Sequence, residues 1–185
     1  MLKKEAPSMS ISSYSVDRDT AERELAAGQL DFAIDALFVF PGNICYLPLI
    51  SQPYVCVARA EAQGDRKRMT LTRYLEAEHI HVSSRRFGSG HIDAALDSLG
   101  HKRVIGLRVQ HYLIAASVTE QTELLWSLPK ALAETYPLHM TELPFEAEPM
   151  QCYLQWHKNA HQDPANIWMR EKLVELSSAS TLIQA

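Results

Sequence analysis

The chain has 185 residues, of which 46% are apolar and 22% charged, with 7 Gly and 9 Pro. That excludes fibrous and disordered classes and leaves one ordinary domain or two small lobes, with a core large enough to fold without oligomerising. A net charge of -4, from 18 Lys plus Arg against 22 Asp plus Glu, argues against a surface that grips nucleic acid, because phosphate binding depends on clustered basic residues. The densest basic runs, Arg66-Lys67-Arg68, Arg85-Arg86 and Lys102-Arg103, are short and read as solvated turns or helix ends. Cys45, Cys56 and Cys152 are widely spaced in apolar stretches and read as buried thiols of a reducing compartment. No apolar stretch approaches the roughly 18 residues that span a bilayer, and Met1 to Pro7 lack the apolar core of a signal peptide. The expected location is the cytoplasm.

In chain order, Ser8 to Val16 carry Met9, Ile11 and Tyr14 among serines and are expected to form a short strand. Asp19 or Thr20 then caps a helix running to Ala27, with Gly28 as its stop. Leu30 to Leu37 is a nearly continuous apolar run that suits a strand buried on both faces of a parallel sheet. Together these three pieces have the length of one right-handed βαβ unit. Strands are expected at Cys45 to Ile50 and Tyr54 to Arg59, and a lobe boundary near the polar stretch Ala60 to Arg68, which carries Gly64. Thr70 caps a helix, His79 to Ser83 form a strand, Phe87 to Gly90 a loop, and His91 to Leu99 a helix closed by Gly100. A strand at Arg103 to Val109, a helix from Tyr112 and a strand from Leu124 to Leu128 follow, then a short helix at Lys130 to Thr135. Met150 to Trp156 read as a strand and Asp163-Pro164 as the start of a helix ending near Leu176. Alternating strands and helices make this an α/β chain with mostly parallel sheets.

Several strings in this order resemble the regulatory domain of the LysR-type transcriptional regulators. Glu24 to Ile34 resembles that family's helix-Gly-x-Leu-Asp-strand element, and Pro53 to Arg59 its first crossover strand. His79 to Ser83 with Gly88 resembles the strand and loop that open the second lobe, and Leu125 to Pro129 with Leu132-Ala133 its strand-Pro-helix step. Asp163 to Arg170 resembles the terminal helix of a subgroup that answers to nodulation signals and aromatic acids. The resemblance implies a two-lobed periplasmic-binding-protein-like (type 2) fold with two crossover segments and a small-molecule cleft between the lobes. The first lobe would comprise residues 1–57 and 148–185, the second 58–147. It further implies a cytoplasmic homodimer or higher oligomer, with no membrane, cofactor or metal, that meets DNA only through an N-terminal winged helix-turn-helix outside these residues. Leu2 to Ala6 resemble the end of the first lobe's opening helix, so that lobe is expected to lack its opening strand and helix. It would then be remodelled, completed by a partner chain or marginally stable, since unpaired inner backbone groups are costly.

Carried over residue by residue, the resemblance implies effector contacts from Asp17 and Arg18, from Ser83, Ser84 and Phe87, and from His111 and Tyr112. Arg18 would pair with a carboxylate, the serines would donate hydrogen bonds, and Phe87 would pack on an aromatic ring. The ordinary alternatives are a solvated turn arginine and a loop phenylalanine packed on its own lobe. His79 with His81, and His157 with His161 at helical spacing, invite a metal, but no further ligand stands at a familiar spacing. Glu76, Glu78 and His79 read as solvated groups at a polar helix end. There is no Ser nucleophile elbow, Gly-rich phosphate loop or paired-Cys motif, so no enzyme is expected. Two other functions fit the same fold: a stand-alone solute-binding protein in transport, and a truncated partner that pairs with intact regulators.

Overall fold

A computed structural model describes residues 2–36, 42–60, 68–83 and 88–179. The chain divides into two compact units, residues 1–51 with 151–184, and residues 52–150. The strand beginning at Tyr54 pairs wholly within the second unit.

The first unit contains a three-stranded sheet in the order β1-β8-β2, formed by Ala33–Asp35 (β1), Ile44–Gln52 (β2) and Met150–His157 (β8). Its helices are Leu2–Glu5 (α1), Arg18–Ala27 (α2) and Pro164–Ala179 (α7). The α2 helix starts where Asp17 accepts the Thr20 N–H, two residues before the earlier of the expected caps, and stops at Gly28, whose φ of 68° only glycine adopts freely. Residues 9–16 form no strand, and Ile11 and Tyr14 are 63% and 57% exposed. Apolar alternation makes a strand only where a neighbouring backbone completes the ladder, so the expected βαβ unit is absent. Instead of a strand buried on both faces of a parallel sheet, β1 is a three-residue edge strand antiparallel to β8, with Ile34 56% exposed. Central β8 buries Leu154 and Trp156. Arg170 of α7 lies 4.3 Å over the Trp156 ring, which also donates Nε1–H to His161 Nδ1 at 3.3 Å. His157 ends β8 while His161 follows a short 3-10 turn, so this pair does not share a helix as its spacing implied.

The second unit is a five-stranded sheet in the order β5-β4-β6-β3-β7. Its strands are Tyr54–Ala58 (β3), Glu78–Val82 (β4), Val104–Val109 (β5), Leu125–Pro129 (β6) and His139–Glu142 (β7). The last of these has no counterpart in the sequence reading. β4 runs parallel to β5 and β6, whereas β3 runs antiparallel to β6 and β7, so the sheet is mixed rather than mostly parallel. The helices are Leu71–Glu76 (α3), His91–Ser98 (α4), Tyr112–Gln121 (α5) and Lys130–Ala133 (α6). Side chains alternate across the strands. Val55, Val57, Ile80, Trp126 and Leu128 share one face with Ala115 and Ala116 of α5. Cys56 and Leu125 share the other with Tyr74 of α3 and with Ile92 and Leu96 of α4. The unit is thus a helix-sheet-helix sandwich with its core on both faces of the sheet.

The thiols are free. Cys56 is buried, and that burial pushes its pKa up to about 12, but Cys45 and Cys152 are only half-buried, unlike the three buried thiols expected. Among the described residues, no helix is long and apolar enough to cross a membrane.

Candidate functional site

Because β4, β5 and β6 are parallel, their carboxyl ends share one edge of the second unit. Loops and helix N-termini at such an edge present backbone N–H groups outward. Ser83 follows β4 there and donates its N–H to Val109 O at 2.9 Å, tying the ends of β4 and β5 together. His111 then caps α5 through its backbone, with no side-chain bond to the first turn, and Tyr112 is the first helical residue. The Tyr112 ring, 41% exposed, lies 6.0 Å from Trp126 at 34°, and Trp126 stands 5.8 Å from Tyr136. An aromatic row therefore runs from the core to this edge. Ser84 and Phe87 lie outside the described residues.

Asp17 and Arg18 lie in the first unit, where α2 begins. Asp17 spends both oxygens on Thr20, accepting from its backbone N–H at 2.9 Å and its hydroxyl at 2.8 Å. Those two bonds, the backbone one foremost, hold its carboxyl below the usual range. Arg18 donates Nε–H to Asp35 Oδ2 at 2.7 Å and Nη2–H to Ala36 O at 3.5 Å. It is therefore neither the free solvated arginine of the ordinary alternative nor an uncommitted anion receptor. A ligand carboxylate would have to compete with Asp35.

Two cavities open elsewhere on the second unit. One of about 610 Å³ lies by the amino end of β4, lined by Arg59, Arg73, Glu78 and Glu123 among others. Its cations are partly spent, since Arg59 pairs with Glu123 at 2.7 Å. The other, about 710 Å³, lies beside β7. Neither includes Ser83, His111 or Tyr112. The preference for the carboxyl edge rests on its strand ends, its helix N-terminus and its aromatic row, not on cavity size.

The family model of the LysR substrate binding domain matches residues 1–178. The chain belongs to that family. The transcriptional activator NagR of a Ralstonia species is 28% identical over 181 residues, covering 96% of this chain and 60% of that protein. Nodulation protein D 2 of Rhizobium leguminosarum bv. phaseoli is 29% identical over 180 residues, covering 95% and 56%. The chain thus spans less than two thirds of these relatives' length. The regulatory domain of MexT, a transcriptional activator in Pseudomonas aeruginosa, superposes with a TM-score of 0.81 at 22% identity, over 94% of this chain and 88% of that one. The fold is accordingly the periplasmic-binding-protein-like type 2 fold of LysR effector-binding domains.

This LysR domain also carries a buried polar cluster that sequence reasoning missed. Arg103 stands in a basic pair read as solvated, yet its side chain is 4% exposed. It reaches back to the first turn of α4, where its Nε–H meets Asp93 Oδ1 at 2.7 Å. Its Nη2 lies 3.3 Å from His81 Nδ1. The same Nδ1 lies 3.5 Å from Asp93 Oδ2, so His81 faces both members of the pair. Asp93 Oδ2 accepts the Gly90 N–H at 2.8 Å, the return half of a capping box whose outgoing half a glycine cannot make. Burial alone would raise the Asp93 carboxyl, but the bonds from Arg103 and Gly90 outweigh it and hold the pKa below the ordinary value. His79, read as a solvated group, is fully buried and donates Nε2–H to Tyr74 O at 2.7 Å. Burial lowers its pKa to about 4. The available signal was Gly90-x-x-Asp93 at a helix start, an N-terminal pattern without the usual hydroxyl cap. Among the described residues, no three His, Cys, Asp or Glu side chains gather as a metal site would require.

Proposed function

We propose that this LysR effector-binding domain takes a small aromatic carboxylate at the carboxyl edge of its second unit. Binding there would control transcription through a DNA-binding domain that these 185 residues do not supply. The observation that carries the reading is Tyr112, a half-exposed ring at the start of α5, backed by Trp126 and flanked by His111. An aromatic ligand stacks on such a ring, and its carboxylate meets the N–H groups of the helix start and hydroxyl or imidazole donors from Ser83 and His111. The benzoate held by the effector-binding domain of BenM, a structure of the same fold, supports this ligand class.

Isothermal titration with benzoate and with cyclohexanecarboxylate tests the reading. Micromolar affinity for benzoate, weaker binding of the saturated acid and a loss of about 3- to 10-fold in Tyr112→Ala are expected, since an aromatic contact contributes roughly 0.5–1.5 kcal/mol beyond area burial. Equal affinity of wild type and Tyr112→Ala, or no binding of either acid, would sink it.

A further inference from the structure

Asp93 and Arg103 meet at the first turn of α4, next to the edge that carries Ser83. Replacing a buried ion pair by apolar side chains of like volume is often neutral or stabilising. Stability alone therefore gives no reason for this arrangement, and its geometry supplies one. We propose that Asp93, held by Arg103, is a positioning residue for the binding edge: it fixes the Gly90 amide at the start of α4, against His81 of β4. The inference rests on the reading of that edge as the effector site.

Both Asp93 oxygens are committed, Oδ1 to Arg103 Nε and Oδ2 to the Gly90 N–H, so the carboxylate is oriented from two sides. The guanidinium that holds it also reaches His81, two residues before Ser83 on β4. One buried arginine thus ties the strand end that precedes the site to the helix start that follows it. Gly90 itself makes a close approach, since a Cβ at that position would lie 3.1 Å from His81 Cε1. The backbone there is extended, with φ of -98°, so contact and not strain restricts the residue. From β4 the tie continues through the Ser83 N–H to Val109 O, and β5 leads on to His111 and Tyr112. Asp93 touches no candidate ligand position and acts through Gly90 and Arg103. The low carboxyl pKa agrees with a group whose charge is needed where it stands.

The test compares the full chain with Asp93→Asn, Arg103→Lys and Gly90→Ala, reading amide hydrogen exchange by NMR together with benzoate titration. Asparagine offers one acceptor oxygen where two are used. In Asp93→Asn the Gly90 amide is expected to exchange at least about 10-fold faster, while Val57 and Ile80 at the sheet centre keep wild-type rates, and benzoate affinity is expected to fall about 10-fold. Arg103→Lys keeps the charge but not the fork, so partial rescue is expected. Gly90→Ala presses an added Cβ on His81 and brings it to 3.6 Å from Asp93 Oδ2 but leaves both members of the ion pair in place, and it decides the question if Asp93→Asn does not fold: weaker benzoate binding with unchanged core exchange supports the role. Faster exchange at Gly90, Val57 and Ile80 together would show a merely structural pair and overturn the proposal. So would a loosened Gly90 with unchanged affinity. If wild type binds no benzoate, the effector reading fails by itself, and exchange confined to Gly90 or spread through the core still decides the clamp.

Discussion

The two units share an alternation of strand and helix but differ in what their strands find beside them. In the second, β4 lies between two parallel partners and β3 between two antiparallel ones, and apolar clusters form on both faces. In the first, β8 alone is central. Both units leave large apolar side chains exposed, Ile11, Tyr14, Ile34 and Tyr46 in the first and Leu99, Val104, Leu113 and Ile114 in the second. The difference lies in the interior, because a strand is held by its neighbours and β8 has only a three-residue partner on one side.

The largest effect expected from this contrast is at Trp126. Trp126→Ala should cost about 3–5 kcal/mol in urea denaturation, and of two equally buried leucines Leu128→Ala in the second unit should cost about 4 and Leu154→Ala in the thinner sheet about 2, because surroundings that relax more leave a smaller cavity. Equal losses would break the contrast. Next comes the acid response of the second unit. The folded state holds His79 neutral down to about pH 4, while the unfolded chain protonates it near its ordinary value of 6.5. Its contribution to stability is therefore complete above pH 6.5 and declines as pH falls toward 4, by roughly 3 kcal/mol in all. His79→Asn should be less stable above pH 6.5 and lose this slope, so that its deficit narrows as pH falls toward 4, and an unchanged slope in a pH series of denaturation midpoints would reject the assignment. The smallest effects belong to the start of α2. Asp17→Ala should lower the urea midpoint slightly through the lost cap. Arg18→Ala, which removes a half-exposed ion pair, should cost less than about 1 kcal/mol. An Arg18→Ala loss above that of Asp17→Ala would mean that the pair with Asp35 holds more of the first unit together than its exposure implies.

Much of the fold was legible where local chemistry decides it. Gly28 ends α2, Thr70 caps α3, Pro164 opens α7, and the apolar runs at β3 and β4 form strands. Pairing at a distance was not legible. Residues 9–16 have strand-like alternation without a ladder, and β7, with its mixed His-Met-Thr-Glu sequence, is a strand because β3 lies beside it. The site divides the same way. Ser83, His111 and Tyr112 gather at one edge because the parallel order of β4 and β5 brings their ends together. Arg103 was misread because its partner stands ten residues back across a helix, and no pattern within one element distinguishes a buried arginine from a solvated one. The resemblance to the LysR family supplied the fold that periodicity alone left open.

The chain has three tryptophans, and two are buried in different units with different neighbours. Trp126 packs between Tyr112 and Tyr136 in the second, and Trp156 lies against Arg170 and His161 in the first. Indole emission depends on local polarity and on quenching by nearby imidazolium. The Trp156 signal should therefore report on the packing of α7 through Arg170, while a molecule settling on Tyr112 perturbs Trp126. Trp126→Phe would leave only the first unit's emission, and the double variant Trp156→Phe with Trp168→Phe only the second's, giving each unit its own intrinsic optical probe with no label attached.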